Sequence, residues 1–552
     1  MYVTEVLTRT KKGAISHRCI LLRESYRENG RVKNRTIANL THCKPEEVAA
    51  MKLALKHAGN LGDLKSIEEC LSINQGPSVG AAWLIYRTAA LLGIEKALGT
   101  ERQAKLALWQ VIARVIDQGS RLSAVRLAQT HAACDILGMK KGFNEDHLYD
   151  NLAWLAENQL LIEKRLLKNR NGGKKPKLFL YDVTSSYLEG ELNELGAYGY
   201  NRDGKKGKKQ LVIGLLCDDE GVPVSVRVFR GNTNDLTTFN EQVEKTKKEF
   251  GCERVTFVGD RGMIKSGQID RIREMGFHYI TAITRPQIEK LIRDGVFQMD
   301  LFDEEICEVE EDEIRYVLRR NPRRAEEIAS ARQSKRRTVE KLIRQKNEYL
   351  ADHPRARTST SLKDAERKIE SLRISGWLRV EARGRKLVIA VDENSLQEES
   401  RLDGCYVIKS DLPPAVSART IHDRYKDLAE VEQAFRTCKT TFLEMRPWYV
   451  RCEASTRGHA FVVMMAYLIV RHLKIAWAGF DLTVEEGLNR LSNLCSLEVE
   501  LENHTSFNRI PEPDPICSEL LSKANVFMPG VLPRMKANVV SRKDLAKHRK
   551  MS

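Results

Sequence analysis

Asp182 closes the apolar run LFLYD and Asp260 closes VTFVGD, so each carboxylate stands where a buried strand meets solvent. Glu430 and Glu432 lie in HDRYKDLAEVEQAFRTCKTTF, whose apolar residues recur at three and four and which reads as one helix. Leu428, Val431, Phe435, Cys438 and Phe442 make its buried stripe; Tyr425, Glu432, Arg436 and Lys439 make a second stripe along the edge. Glu432 is thus expected at the core boundary and Glu430, nearly opposite, in solvent. Three such acids brought together suit magnesium, which binds through few protein carboxylates, water and substrate phosphate. Two divalent ions about 4 Å apart supply what phosphodiester cleavage needs, an activated oxygen nucleophile and a stabilised leaving 3′ oxygen. Taken singly, a strand-end aspartate is more often a turn former or cap and a helical glutamate more often faces water, so only convergence gives these residues a role.

The elements around them would provide that convergence. KLFLYDVTSSY reads as a strand, QLVIGLLCD and VPVSVRVFR as a hairpin across DDEG, DLTTFNEQVEKTKKEF as a helix, and RVTFVGD and FHYITAI as strands flanking another helix. In a βββαβαβ sheet of the ribonuclease-H type the first and fourth strands are neighbours, which would set Asp182 beside Asp260. The expected fold is therefore α/β: a ribonuclease-H-like core of mixed sheet and flanking helices, interrupted by an α+β insertion. Alternating residues at 1–45 predict a small N-terminal β domain and a helical period over 46–172 a helical domain, the natural place for DNA-end recognition. The core's first part is expected at 173–290, the charged insertion at 291–415, its second part with the Glu432 helix at 416–480, and a helical and basic tail at 481–552.

The chain of 552 residues is too long for one ordinary core, and its 91 lysines and arginines against 75 acids give a net charge of +16, which favours a polyanionic partner. The 12 cysteines form no C-x-x-C pair or zinc-spaced cluster, as expected of free thiols in a reducing cytoplasm. The start lacks a hydrophobic signal core and FVVMMAYLIV from Phe461 is short for a bilayer, so a cytoplasmic, nucleoid-associated protein without membrane partner is expected.

Three blocks resemble the DDE transposases of bacterial insertion sequences, in the IS-four superfamily and most similar to its IS-sixteen-thirty-four branch. YDVTSSYLEG at 181, with YGYNRDGKKGKKQLVIGLLCDDEGVPVSVRVFRGNTND after it, resembles the first-aspartate motif, and GDRGMIKSGQ at 259 the second. Tyr425, Glu432 and Lys439 have the spacing of the signature Y-x2-R-x3-E-x6-K, with Leu428 at the arginine position and Arg436 and Lys426 as nearby substitutes. The resemblance implies Asp182, Asp260 and Glu432 as catalytic metal ligands, magnesium or manganese as two ions per site, and Tyr425 and Lys439 as contacts to phosphate. It further implies a homodimer or larger synaptic complex on double-stranded DNA, cutting at terminal inverted repeats and joining 3′-hydroxyl ends to a target.

Other residues carry weaker expectations. Arg261 could neutralise substrate phosphate or brace Asp260. KKGKKQ, with Lys205, Lys206, Lys208 and Lys209, could track DNA backbone, as could RRNPRR and RQSKRR unless these last are solvated helix faces. Asp235 reads as a helix cap, His459 as a core histidine and Trp448 as packing rather than a platform for a flipped base. The competing functions are a ribonuclease-H-like nuclease without strand transfer and a catalytically silent, transposase-derived DNA-binding protein.

Overall fold

The computed structural model describes residues 1–9, 15–59, 71–170, 172–200, 202–439, 442–445, 448–501 and 506–542. The N-terminal alternation folds into an antiparallel meander of β1 (Tyr2–Arg9), β2 (Ile15–Glu28) and β3 (Arg31–Asn39). Asn29 and Gly30, at φ 49° and 76°, form the two-residue turn between β2 and β3 that matches strand twist. Helix Pro45–Lys56 follows. In the stretch expected to be helical lies instead β4 (Leu71–Ser78), paired in a three-stranded sheet with strands 495–501 and 506–509. With 76 residues from the N-terminus, these late strands belong to one compact unit.

The second unit, 77–494 with parts of the C-terminal segment, holds an eight-stranded mixed sheet. Continuous apolar runs suit strands covered on both faces. β5 (Leu178–Tyr187), β6 (Gln210–Asp218) and β7 (Pro223–Arg230) have this character, and all nine residues of β6 are buried. They pair antiparallel, while β8 (Thr256–Gly259) lies parallel to β5 and β9 (His278–Ala282) parallel to β8. Phe179, Tyr181 and Val183 pack with Phe239, Val243, Ile269 and Ile272, from helices Asp235–Lys248 and Ser266–Glu274. The strand period of two turns Asp182 and Thr184 to the other face, where Lys439 of helix Leu428–Lys439 donates to Thr184 Oγ1 at 3.0 Å.

The charged segment after residue 290 divides in two. β10 (Cys307–Glu311), β11 (Ile314–Arg320) and the later β14 extend the sheet, giving the order β10-β11-β14-β9-β8-β5-β6-β7, with β14 at Cys405–Ser410. Only the stretch between β11 and β14 stands apart: helices Pro322–Asp352, Thr358–Leu372 and Glu393–Arg401 around the hairpin of β12 (Leu378–Arg383) and β13 (Lys386–Val391). It has its own core, including Val339, Ile343, Ile369 and Trp377. At its base, Arg332 bonds both oxygens of Asp403 at 2.8 Å. Gly404 (φ +74°) is required there, since a Cβ would meet the Asn321 carbonyl oxygen at 2.4 Å.

The helices of 77–170 are part of this same unit, across the boundary expected near 172. Lys245 on the Asp235–Lys248 helix forms a buried ion pair with Glu163 of helix Glu145–Arg170, and donates to Ser225 Oγ at 2.7 Å. Helix Glu453–Ala476, 24 residues and longer than its apolar run suggested, packs on helices Glu145–Arg170 and Arg102–Ile116 and on β7. It is long and apolar enough to cross a membrane, but most of its apolar window is buried inside the protein. Beyond it are helices Val484–Ser492 and Pro515–Lys523; the basic end from 543 lies outside the described residues.

Candidate active site

The parallel register pairs Tyr181 with Gly259, so the next residues, Asp182 and Asp260, stand level at adjoining strands. Both line a cavity of about 700 Å³ together with Glu432. Glu432 arrives from the far wall on helix Leu428–Lys439, which buries Val431, Ala434, Phe435 and Cys438. Glu430 lies away from the cavity, against the β6–β7 turn, where a Cβ on Gly221 would come 2.4 Å from its own Cβ. The segment expected as one helix is two, Ala418–Lys426 and Leu428–Lys439, parted at Asp427. The break lets Tyr425, Lys426 and Leu428 all line the cavity with Glu432.

Burial pushes the Asp182 carboxyl up to about 6; a hydrogen bond from the Val183 backbone and the charge of Arg202 oppose this, and the charges of Asp260 and Glu432 add to it. Asp260 accepts a hydrogen bond from the Arg261 amide at 2.7 Å. Burial, then the charge and hydrogen bond of Asp260, hold the Tyr425 phenol well above its ordinary range. No three metal-binding side chains among the described residues stand close enough to chelate one ion. The three carboxylates share one cavity. Their oxygens suit a hard cation, and Glu432 is exposed on its helix.

The remaining expected contacts are distributed unevenly. Arg261 and Arg436 are exposed, and neither lines the cavity. Lys439 is buried: its ammonium is 2.6 Å from the Ser185 carbonyl oxygen and 2.7 Å from Asp203. To reach a phosphate it would have to exchange the Asp203 carboxylate. Lys205, Lys206 and Lys208 are exposed and Lys209 half-buried; Lys208 pairs with Glu189 at 2.9 Å, and Lys209 donates to the Glu191 carbonyl at 3.0 Å. Helix 235–248 is capped by Asn234, not Asp235; the side chain of Asn234 accepts from the Leu236 amide at 3.1 Å. Asp235 instead takes Arg202 at 2.7 Å. His459 is buried edge-on to Trp448, with ring centroids 5.1 Å apart, and the Trp448 indole donates to Ser186 Oγ at 2.9 Å.

Arg202 was not singled out from the sequence, yet it lines the cavity, donates to the Val183 carbonyl and holds Asp235. Its neighbour Asp203 reaches both the Tyr187 amide, at 3.2 Å, and Lys439. Inside NRDGKKGKKQ they look like part of a basic loop, because no periodicity marks a residue whose role is to brace a strand from outside.

Asp182 lies within β5 rather than at its end, because β5 runs on to Tyr187, and only Asp260 directly follows its strand. The two face Glu432 across a cavity that Arg202 and Lys426 also line, and the Transposase DDE domain family model matches residues 173–469, containing all three acids. That is more than half of the chain, which therefore belongs to the DDE transposase family. Residues 5–69 match the IS1634 family transposase N-terminal domain, so the chain is an IS1634-like DDE transposase. Such domains are polynucleotidyl transferases that work on DNA with divalent metal ions. Among solved structures, the cryo-EM structure of a piggyBac transposase synaptic complex with hairpin DNA is similar, with a TM-score of 0.36 and 9% identity over 76% of this chain and 82% of that one. No curated protein matches the chain.

Proposed function

We propose that this transposase cleaves DNA at the terminal inverted repeats of its insertion sequence and transfers the 3′-hydroxyl ends into target DNA, with Asp182, Asp260 and Glu432 as metal ligands of a ribonuclease-H-like core. What supports the reading most is the Tyr181–Gly259 register, with Asp182 and Asp260 level on parallel strands and Glu432 across one cavity. Magnesium or manganese, two ions per site, would supply the positive charge that the attacking and leaving oxygens need. The chain's own part is positioning. Two acids on adjoining strands, Asp182 within β5 and Asp260 just past β8, fix the geometry, and a third on a helix closes it. Arg202, braced by Asp235, offsets the acids' repulsion, and Tyr425 beside Asp260 presents a phenol to phosphate. Lys426 lines the cavity near Leu428 and Arg436 does not, so Lys426 is the better substitute for the missing signature arginine. Lys439 serves from inside, tying helix 428–439 to β5, until phosphate displaces Asp203.

On this reading the partners are element ends and target DNA in a dimeric or larger synapsis on the nucleoid, with residues 46–172 contributing to end recognition and 322–401 as the inserted module. The test is cleavage of a duplex carrying the element's end, with magnesium and with chelator, by the wild type and by Asp182→Ala, Asp260→Ala and Glu432→Ala. Each variant should lose at least 10³-fold in nicking while still binding the duplex. Retained nicking in any one removes that residue from the site, and nicking without joining of a 3′ end points to a nuclease.

A further inference from the structure

A second cavity, of about 300 Å³, is lined by Arg114, Arg121, Tyr149, Glu444, Tyr449 and His459. It is tied to the strand that carries Asp182. Leu188, just past β5, bridges to Trp448, whose indole holds Ser186, and the next residue, Tyr449, forms part of the cavity wall. Along β5, Ser186 lies four residues beyond Asp182, about 13 Å at strand rise.

The two arginines are only 4% and 5% exposed. Arg114 donates to the carbonyls of Gln118 and Gly119, leaving its Nε buried without a partner. Arg121 donates to the amide oxygen of Gln110, which is neutral. The acids near Arg114 are Asp117, already engaged by Ser123 Oγ, and Glu444, exposed at the cavity mouth. Burial, and after it the charge of the Arg114 guanidinium, lowers Arg121 to about 9. The same pair, after burial itself, keeps His459 neutral. Among the described residues neither guanidinium is in an ion pair, and a buried cation without a close anion is costly. Behind the cavity, helix Arg121–Thr130 begins with Ser120 as its cap, adding the positive end of a helix dipole to the same wall. Glu444 holds φ 39°, a left-handed conformation that costs energy in a non-glycine residue and tends to collect at ligand sites.

We infer that this cavity takes one backbone phosphate of the DNA strand bound at the candidate active site, gripped by Arg121 and Arg114 with the helix start behind it and Tyr449 at its mouth. A planar guanidinium is suited to forked contact with phosphate oxygens, and Ser186, which Trp448 holds next to the cavity wall at Tyr449, lies ~13 Å along β5 from Asp182. The inference rests on the chain acting on DNA but not on the three acids being metal ligands.

The experiment measures binding of the intact chain to a short random-sequence duplex in chelator, across a salt series, so that cleavage plays no part. Arg121→Gln removes the buried charge. Tyr449→Glu, at a residue 75% exposed, sets a carboxylate at the mouth without disturbing the core. Each should weaken binding about tenfold and flatten the slope of log affinity against log salt by about 0.9, the signature of one lost phosphate contact. If Tyr449→Glu binds with wild-type affinity and slope, the cavity takes no phosphate, whatever Arg121→Gln does to folding. Loss of cleavage in the acid variants, or its retention, leaves this result unaffected.

Discussion

Asp182 is held at a cost while no cation is near. Its folded carboxyl titrates at about 6 against 3.8 ordinarily, so between those values the folded chain keeps a proton that the unfolded chain has lost. Stability of the metal-free protein therefore falls as pH rises from about 4 to 6 and stays lower above, by up to ~3 kcal/mol. Asp182→Asn should abolish cleavage yet stabilise the metal-free protein by ~1–3 kcal/mol at pH 7, read as a higher urea midpoint. Magnesium should narrow that gap by stabilising only the wild type. A destabilised variant would mean that the carboxylate is structurally satisfied as it stands. At this scale the sequence marks Asp260 at the end of its strand and Glu432 by helical period, whereas Asp182, expected at a strand end, lies within β5. Arg202 and Asp203 were not legible, since their partners Asp235 and Lys439 come from other elements and leave no local pattern.

Elements with continuous apolar runs, β5 to β9, could be read directly, and their order carries Asp182 to Asp260. β4 could not: LSINQGPS has little alternation, and its partner strand, 495–501, lies more than 400 residues away. β10 and β11 were hidden by charge, because an edge strand such as CEVEE exposes alternate residues and resembles a solvated loop. The break at Asp427 escaped a periodicity that runs through it almost in phase. Behind the site, helix Glu453–Ala476 crosses helix Glu145–Arg170 so closely at Gly458 that a Cβ would sit 2.0 Å from the Leu152 carbonyl oxygen. Gly458→Ala should cost about 1–3 kcal/mol in thermal or urea unfolding by forcing the helices apart. An unchanged midpoint would show that the crossing has slack.

The whole second unit is built around a sheet that spans the interruption. Arg320 and Cys405 are paired residues at the ends of β11 and β14, and the stretch between them has its own core. Replacing 322–401 by a short turn should leave the sheet cooperatively folded, as judged by circular dichroism and a single unfolding transition. A collapsed or aggregated product would show that the inserted module holds the sheet together. The most direct measurement is anomalous scattering from manganese in crystals of the protein bound to its DNA end. Manganese should lie within ligand distance of Asp182 and Asp260, with Glu432 drawn in to complete the set. Manganese bound elsewhere, or Glu432 left unligated beside an occupied aspartate pair, would contradict the three-acid site.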